Sequence, residues 1–262
     1  MFLTLNSRPQ FLILGAQKAG TSSLYQYLCQ HPQILPASEK EIHFFTLHYH
    51  KGLDWYRAQF PLSAEGQLLL TGEGTPYYLF HPWVSQRVHQ DFPDVKLIIL
   101  LRHPVERAIS HYYWEVKLGY ERLSLKAAIA QEPSRLQGET EKLLAHPLDY
   151  SFNHQHYSYL ARGIYGDQLQ TWFRYFPQKQ CLILESHQFY RNPARTLNQV
   201  CQFLAIPSYR LPHFKTYNAG NYPAVDPGVR RQLTEYFKPH NLRLKMLLGE
   251  DFGWDRDSEL KD

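Results

Sequence analysis

The chain has 262 residues, 44% of them hydrophobic and 20% charged, a balance that excludes a disordered polymer and suffices for one sizeable core. Its 28 Lys and Arg against 24 Asp and Glu leave a formal charge of +4. That mild excess suits a small anionic ligand, and because the basic residues do not cluster it excludes a nucleic-acid footprint.

Phe11-Leu-Ile-Leu is a short apolar run closed by Gly15, the pattern of a fully buried strand. It is too short for a signal-peptide core, and no later segment reaches the roughly 20 apolar residues a bilayer crossing needs. Thr21 or Ser22 is placed to cap a helix running to Leu28. Pro32 and Pro36 bracket a loop, and Glu39 to Phe45 alternates like an extended segment with Glu41 and His43 on one side. Gln67 to Gly72 reads as a strand, Trp83 to Asp91 as a helix, and Val95 to Leu101 as the strongest strand of the chain. Pro104 opens an amphipathic helix to about Gly119. Ser124 to Ala145 is helical with a break at Pro133, and Tyr157 to Phe176 spaces its apolar residues for one helix. Gln180 to Glu185 is a fourth strand, Pro193 to Leu204 a helix, residues 207–225 an irregular loop, and Pro227 to Leu248 a closing helix. Buried strands separated by helices predict an α/β fold of three layers, with a central, mostly parallel sheet. With no repeats or linkers, residues 1–262 read as a single domain.

Cys29, Cys181 and Cys201 are odd in number and lack a Cys-x-x-Cys spacing. They read as buried thiols of a reducing compartment, here the cytoplasm. His48 with His50, and His154 with His156, have no carboxylate or cysteine at ligand spacing, so no metal site is expected. Aromatic residues reach 15%, 19 of them Tyr, enough to line an acceptor cleft as well as to pack a core.

In such sheets ligands bind beyond the carboxyl ends of the strands. Gly15-Ala-Gln-Lys-Ala-Gly-Thr-Ser follows the first strand and opens the first helix, where backbone N–H groups and the helix dipole favour an anion. Lys18, Ala19, Gly20, Thr21 and Ser22 are the candidate phosphate binders. The loop is P-loop-like but departs from Gly-x-x-x-x-Gly-Lys-Ser/Thr, because Lys18 precedes Gly20 and Thr21 stands where that lysine belongs. Strand 95–101 is followed by Arg102, where a nucleotide triphosphatase would carry a magnesium-binding aspartate.

The run Gln-Lys-Ala-Gly-Thr-Ser-Ser resembles the 5′-phosphosulfate loop of sulfotransferases that use adenosine 3′-phosphate 5′-phosphosulfate (PAPS), the heparan sulfate and related bacterial families above all. Further motifs extend the likeness over almost the whole chain. Glu39-Lys-Glu-Ile-His-Phe-Phe is similar to the segment holding the family's catalytic base, which implies Glu41 as base with His43 assisting or substituting; a surface ion pair and a packed histidine are the plainer alternative. Arg102-His-Pro-Val-Glu-Arg-Ala-Ile-Ser110 resembles the 3′-phosphate site and implies that Arg102 and Ser110 hold that group; an Arg102–Glu106 ion pair is the alternative. Gly72-Glu-Gly-Thr-Pro looks like the family's Glu-Lys-Thr-Pro, with Gly74 where glycosaminoglycan enzymes often carry lysine. Asn218 to Asp226 resembles the loop that closes over the nucleotide, implying Gly220, Asn221 and Tyr222, with Lys215 nearby. The resemblance thus implies a sulfotransferase with PAPS as co-substrate, PAP as product and no metal. The acceptor stays open among small molecules, glycans and lipids, in a cleft expected at Tyr77, Tyr78 and residues 112–160. A P-loop kinase and a non-catalytic nucleotide-binding protein are the rivals. Oligomeric state is not legible.

Overall fold

The computed structural model describes residues 8–62, 69–215, 217 and 222–255. Along the chain the described elements are β1 (Phe11–Gly15), α1 (Thr21–Leu28), β2 (Ile34–Pro36), α2 (Gly52–Arg57), β3 (Leu70–Gly74), α3 (Val84–Asp91), β4 (Lys96–Leu101), α4 (Pro104–Lys117), α5 (Leu125–Leu136), α6 (Glu139–Ala145), α7 (Phe152–His156), α8 (Tyr165–Phe173), β5 (Cys181–Glu185), α9 (Ser186–Arg191), α10 (Pro193–Leu204) and α11 (Pro227–Leu248). They form two compact units: residues 1–101 with 173–218, and residues 102–172 with 219–262.

The first unit holds a five-stranded sheet in the order β2-β3-β1-β4-β5, every adjacent pair parallel. This is the expected α/β architecture. Parallel sheets are covered on both faces, so their strands carry no polar alternation. Accordingly, every residue of β1 is buried, and in β4 only the leading Lys96 is not. β1 is central, with Ile13 opposite Gly74 of β3 and Ile98 of β4. All five strands therefore deliver their following loops to one end of the sheet, where the crevice of an open α/β sheet lies.

The sequence reading missed β2, whose three residues end in Pro36. Proline lacks the donor a central strand needs, and β2 is an edge strand paired only with β3.

The second unit contains most of α4 to α8, together with α11, and two expectations change there. Pro133 does not break a helix: α5 runs through it to Leu136. The interruption falls at Gly138, whose φ of 76° opens α6. Glu132, next to the proline, is buried and accepts the Leu160 and Ala161 N–H groups, which pins the turn that proline weakens. Residues 157–176 are likewise not one helix. A 3-10 turn at Ala161–Gly163 precedes α8, because the backbone between them bonds to side chains: Glu132 takes those two N–H groups, and Gln168 Nε2 donates to the Arg162 and Ile164 carbonyls at 3.0 and 3.1 Å.

Candidate functional site

The phosphate loop lies between β1 and α1. The Ala16 N–H donates to the Leu100 carbonyl at 2.7 Å, tying the loop to the end of β4. Ser186 Oγ, the first residue of α9, donates to the Ala19 carbonyl at 2.7 Å, tying it beyond β5. Lys18 is left-handed with φ 69°, a conformation that costs on the order of 1 kcal/mol for a non-glycine residue and persists where surroundings impose it. The helix cap differs from expectation. Thr21 and Ser22 do not cap α1; Gly20 is the N-cap, at φ 107°, with no side-chain cap bond. A β-carbon on Gly20 would stand 2.7 Å from the Tyr190 hydroxyl, so Tyr190 lies directly against the loop.

Glu41 and His43 do not lie on an extended strand. Both are left-handed, with φ of 65° and 56°, and the chain turns into a π-helical segment at Phe44–His48. π-turns and unusual backbone cluster at functional sites. The His43 carbonyl accepts from the Leu47 and His48 N–H groups at 2.8 and 3.2 Å, which stabilises the turn. The two side chains still meet: His43 Nε2 lies 3.8 Å from Glu41 Oε2, and Lys40 Nζ pairs with Glu41 Oε1. Partial burial would raise the Glu41 carboxyl, but the His43 ring and the Lys40 ammonium outweigh it and hold the group down at about 2. Glu41 is therefore an ionised carboxylate across the neutral range, with 42% of its side chain exposed.

Behind this pair sits a carboxylate that no sequence signal singled out. Glu73, at the end of β3, is fully buried. It accepts from the Tyr56 hydroxyl at 2.9 Å, the Tyr78 hydroxyl at 2.7 Å and the Thr75 hydroxyl at 2.6 Å. Burial raises its carboxyl above the ordinary value, and the three hydroxyls oppose that rise. A charged residue ending a buried strand was the one available clue. Tyr78 is fully buried with its hydroxyl on Glu73, and Tyr77 is nearly so, so Tyr78 does not face an acceptor as the sequence suggested. Gly74 packs against β1: a β-carbon there would lie 3.3 Å from Ile13 Cβ, tight for any side chain.

In the second unit, Arg102 is the first residue, followed by α4. Its carbonyl accepts from the Tyr165 hydroxyl at 2.7 Å. Glu106 does not pair with Arg102, its expected rival partner, but with Arg230 of α11. Burial would raise Glu106, yet Arg230 outweighs it and leaves the carboxyl lowered. Tyr222 stacks flat on Tyr113, centroids 4.8 Å apart and planes at 7°. Burial raises its phenol while Arg102, hydrogen-bonded to it, pulls the other way. Arg102 and Tyr222 are thus brought together as the sequence grouping implied. Ser110 lies on α4 and is buried. Lys215 belongs to the first unit, its carbonyl accepting from Tyr27 Oη at 3.0 Å. Gly220 and Asn221 lie outside the described residues.

His156 Nδ1 lies 2.9 Å from Glu115 and His111 Nε2 lies 3.2 Å from it. Among the described residues no group of three such side chains is arranged to hold a metal ion, and no helix is long and apolar enough to cross a membrane.

A family model for the sulfotransferase domain matches residues 8–218. The chain is 31% identical over 276 residues to human heparan sulfate glucosamine 3-O-sulfotransferase 6, covering 94% of this chain and 73% of that protein. It is 32% identical over 272 residues to the human 3-O-sulfotransferase 3B1, covering 94% and 65%, so it spans about two thirds of these relatives. Among solved structures, a sulfotransferase from Alicyclobacillus acidocaldarius superposes with a TM-score of 0.79 at 30% identity, covering 96% of this chain and all of that one. The chain belongs to the sulfotransferase domain family and shares its α/β fold.

Proposed function

We propose that this sulfotransferase moves the sulfuryl group of PAPS to an acceptor hydroxyl or amine and releases adenosine 3′,5′-bisphosphate. The observation that carries the reading is the Glu41–His43 pair, held 3.8 Å apart in the same unit as the loop centred on Lys18. A phosphate cradle and a proton acceptor are the two parts that sulfuryl transfer needs.

The acceptor oxygen attacks sulfur, the new S–O bond forms, and the S–O bond to the nucleotide phosphate breaks in line. The acceptor's proton passes to the Glu41–His43 pair, a contribution of roughly 10²–10⁴-fold for a positioned base. Lys18 and the loop amides stabilise charge growing on the departing phosphate oxygens. Arg102 and Ser110, with Tyr222, Gly220 and Asn221, are assigned to the 3′-phosphate and the nucleotide. A guanidinium suits that dianion because its planar fork donates two parallel bonds. The acceptor is a small molecule, a glycan or a lipid. The 3-O-sulfotransferase relatives favour a saccharide hydroxyl, whereas Gly74, with no side chain to meet a sulfated sugar, favours a less anionic acceptor.

The test is a thermal shift with adenosine 3′,5′-bisphosphate beside ATP–magnesium. A ligand at about a hundred times its Kd stabilises by about 2.7 kcal/mol. Stabilisation by the bisphosphate is the expected result, and stabilisation by ATP–magnesium alone would replace this reading with a kinase. Lys18→Ala should lower turnover by roughly 10²–10³ in a labelled-donor transfer assay. Glu41→Gln should lower turnover while the bisphosphate affinity measured by calorimetry stays near wild type.

A further inference from the structure

We propose that Glu73, Thr75 and Tyr78 form a buried suspension that positions His43 beside Glu41. The inference rests on the sulfuryl-transfer reading only for the use to which the ring is put. Its geometry lies wholly within the first unit.

Glu73 has one carboxylate and three hydroxyl neighbours. Each hydroxyl owns a single proton, and all three donate to the Glu73 carboxyl oxygens, so all three protons point inward. The oxygens of Thr75 and Tyr78 then have only lone pairs to offer outward. Both are used on the same short segment: the His43 N–H donates to Thr75 Oγ1 at 3.4 Å and the Phe45 N–H to Tyr78 Oη at 3.4 Å. One carboxylate thus orients two hydroxyls that hold alternate amides of residues 43–45. His43 sits in this hammock at φ 56°, a conformation an unsupported histidine would leave for the ordinary basins.

Packing alone does not call for a carboxylate here. Burying one costs several kcal/mol unless hydrogen bonds offset it, and an apolar side chain would fill the end of β3 at less expense. What the carboxyl adds is the orientation of three hydroxyls, two of which face residues 43–45. Glutamine is a poorer substitute, because its NH₂ group cannot accept the hydroxyl proton that a carboxylate oxygen takes, so one hydroxyl has to reorient. Thr46 completes the setting, with its Oγ1 3.1 Å from His43 Nδ1, while Nε2 faces Glu41.

The test measures how strongly residues 41 and 43 sense one another, with no acceptor required. In the full-length protein, ¹⁵N-edited NMR of the His43 ring is recorded with Glu41 intact and as Glu41→Gln. The resulting change in ring nitrogen shifts is the coupling. It is expected in the otherwise wild-type chain and in Thr75→Ser, which keeps the hydroxyl, and it should be lost in Thr75→Val and Glu73→Gln. A coupling that survives in both latter backgrounds would overturn the suspension. Thermal melting checks that each variant is folded; should Glu73→Gln not fold, the Thr75→Val and Thr75→Ser pair decides alone. Calorimetry with adenosine 3′,5′-bisphosphate runs in parallel. No binding by the wild-type chain would remove the sulfuryl-transfer reading while leaving the positioning result standing.

Discussion

Strands β1 and β4 of the first unit bury Leu12, Ile13, Ile98 and Ile99 among other apolar side chains, whereas α4, α5 and the segment around α7 in the second unit bury Arg107, His111, Glu115, Glu132, His154 and Arg162. Both units have an apolar interior, that of the second including Ile109, Ile129, Leu233 and Phe237, but among the described residues buried ionisable side chains are more numerous in the second. Apolar area removed from water stabilises at roughly 25 cal/mol per Å² whatever the pH. Buried ionisable groups stabilise only while each keeps its partner and its protonation state. Apolar packing should fail by loss of volume, the buried ionisable groups by titration.

The largest effect expected from this contrast is Ile98→Ala. It should cost roughly 2–5 kcal/mol, read as a drop in urea midpoint relative to the wild type that is the same at pH 6 and pH 8. A drop that changes markedly with pH would blur the distinction.

Glu132→Gln sharpens it from the other side. Burial pushes the Glu132 carboxyl up to about 7, against the N–H groups of Leu160 and Ala161. A carboxyl raised in the fold gives stability that is complete below its unfolded range near 4.5 and is lost as pH rises through about 7. For a shift of this size the loss is roughly 3 kcal/mol. The wild-type Tm should therefore fall between pH 5 and pH 8, and the glutamine variant should fall less. His111 and His154 act at the other limit: burial lowers both to about 3, so their contribution is complete above the free imidazole range and is lost as pH drops toward 3. Glu115 follows the same sign. Burial would raise it, but His111 and His156 hold it at about 2. The second unit is thus bracketed between an acid limit and an alkaline slope. The smallest effect is Tyr113→Leu, which removes the stack with Tyr222 and should cost about 0.5–1.5 kcal/mol beyond lost area, with little pH dependence.

The same contrast explains what was legible beforehand. β1 and β4 announce themselves because a strand buried on both faces has to be apolar, and the turn after β1 has to be small where a loop approaches an anion. That logic singled out Lys18, Gly20 and the Arg102 junction as candidates. It failed where tertiary partners, not local pattern, fix the backbone. The break in residues 157–176 is made by the Glu132 side chain from a distant helix and by Gln168 folding back from α8. The left-handed turn at His43 and the segment after it are held by Thr75 and Tyr78, more than thirty positions further along the chain. Glu73 stands in the Gly72-Glu-Gly-Thr-Pro run without an assigned role, since only the folded chain reveals three hydroxyls converging on it. Thr21 was assigned a capping role that geometry gives to Gly20.

Gly20 carries two unrelated prohibitions: its φ of 107° and the Tyr190 hydroxyl in the space a side chain would enter. Shrinking residue 190 would lift only the second, so no single substitution elsewhere opens position 20 to another amino acid. A lineage of this protein can therefore drift freely in what its surface recognises while the geometry at the mouth of the first helix stays frozen, and an engineer seeking a new acceptor should leave that corner alone.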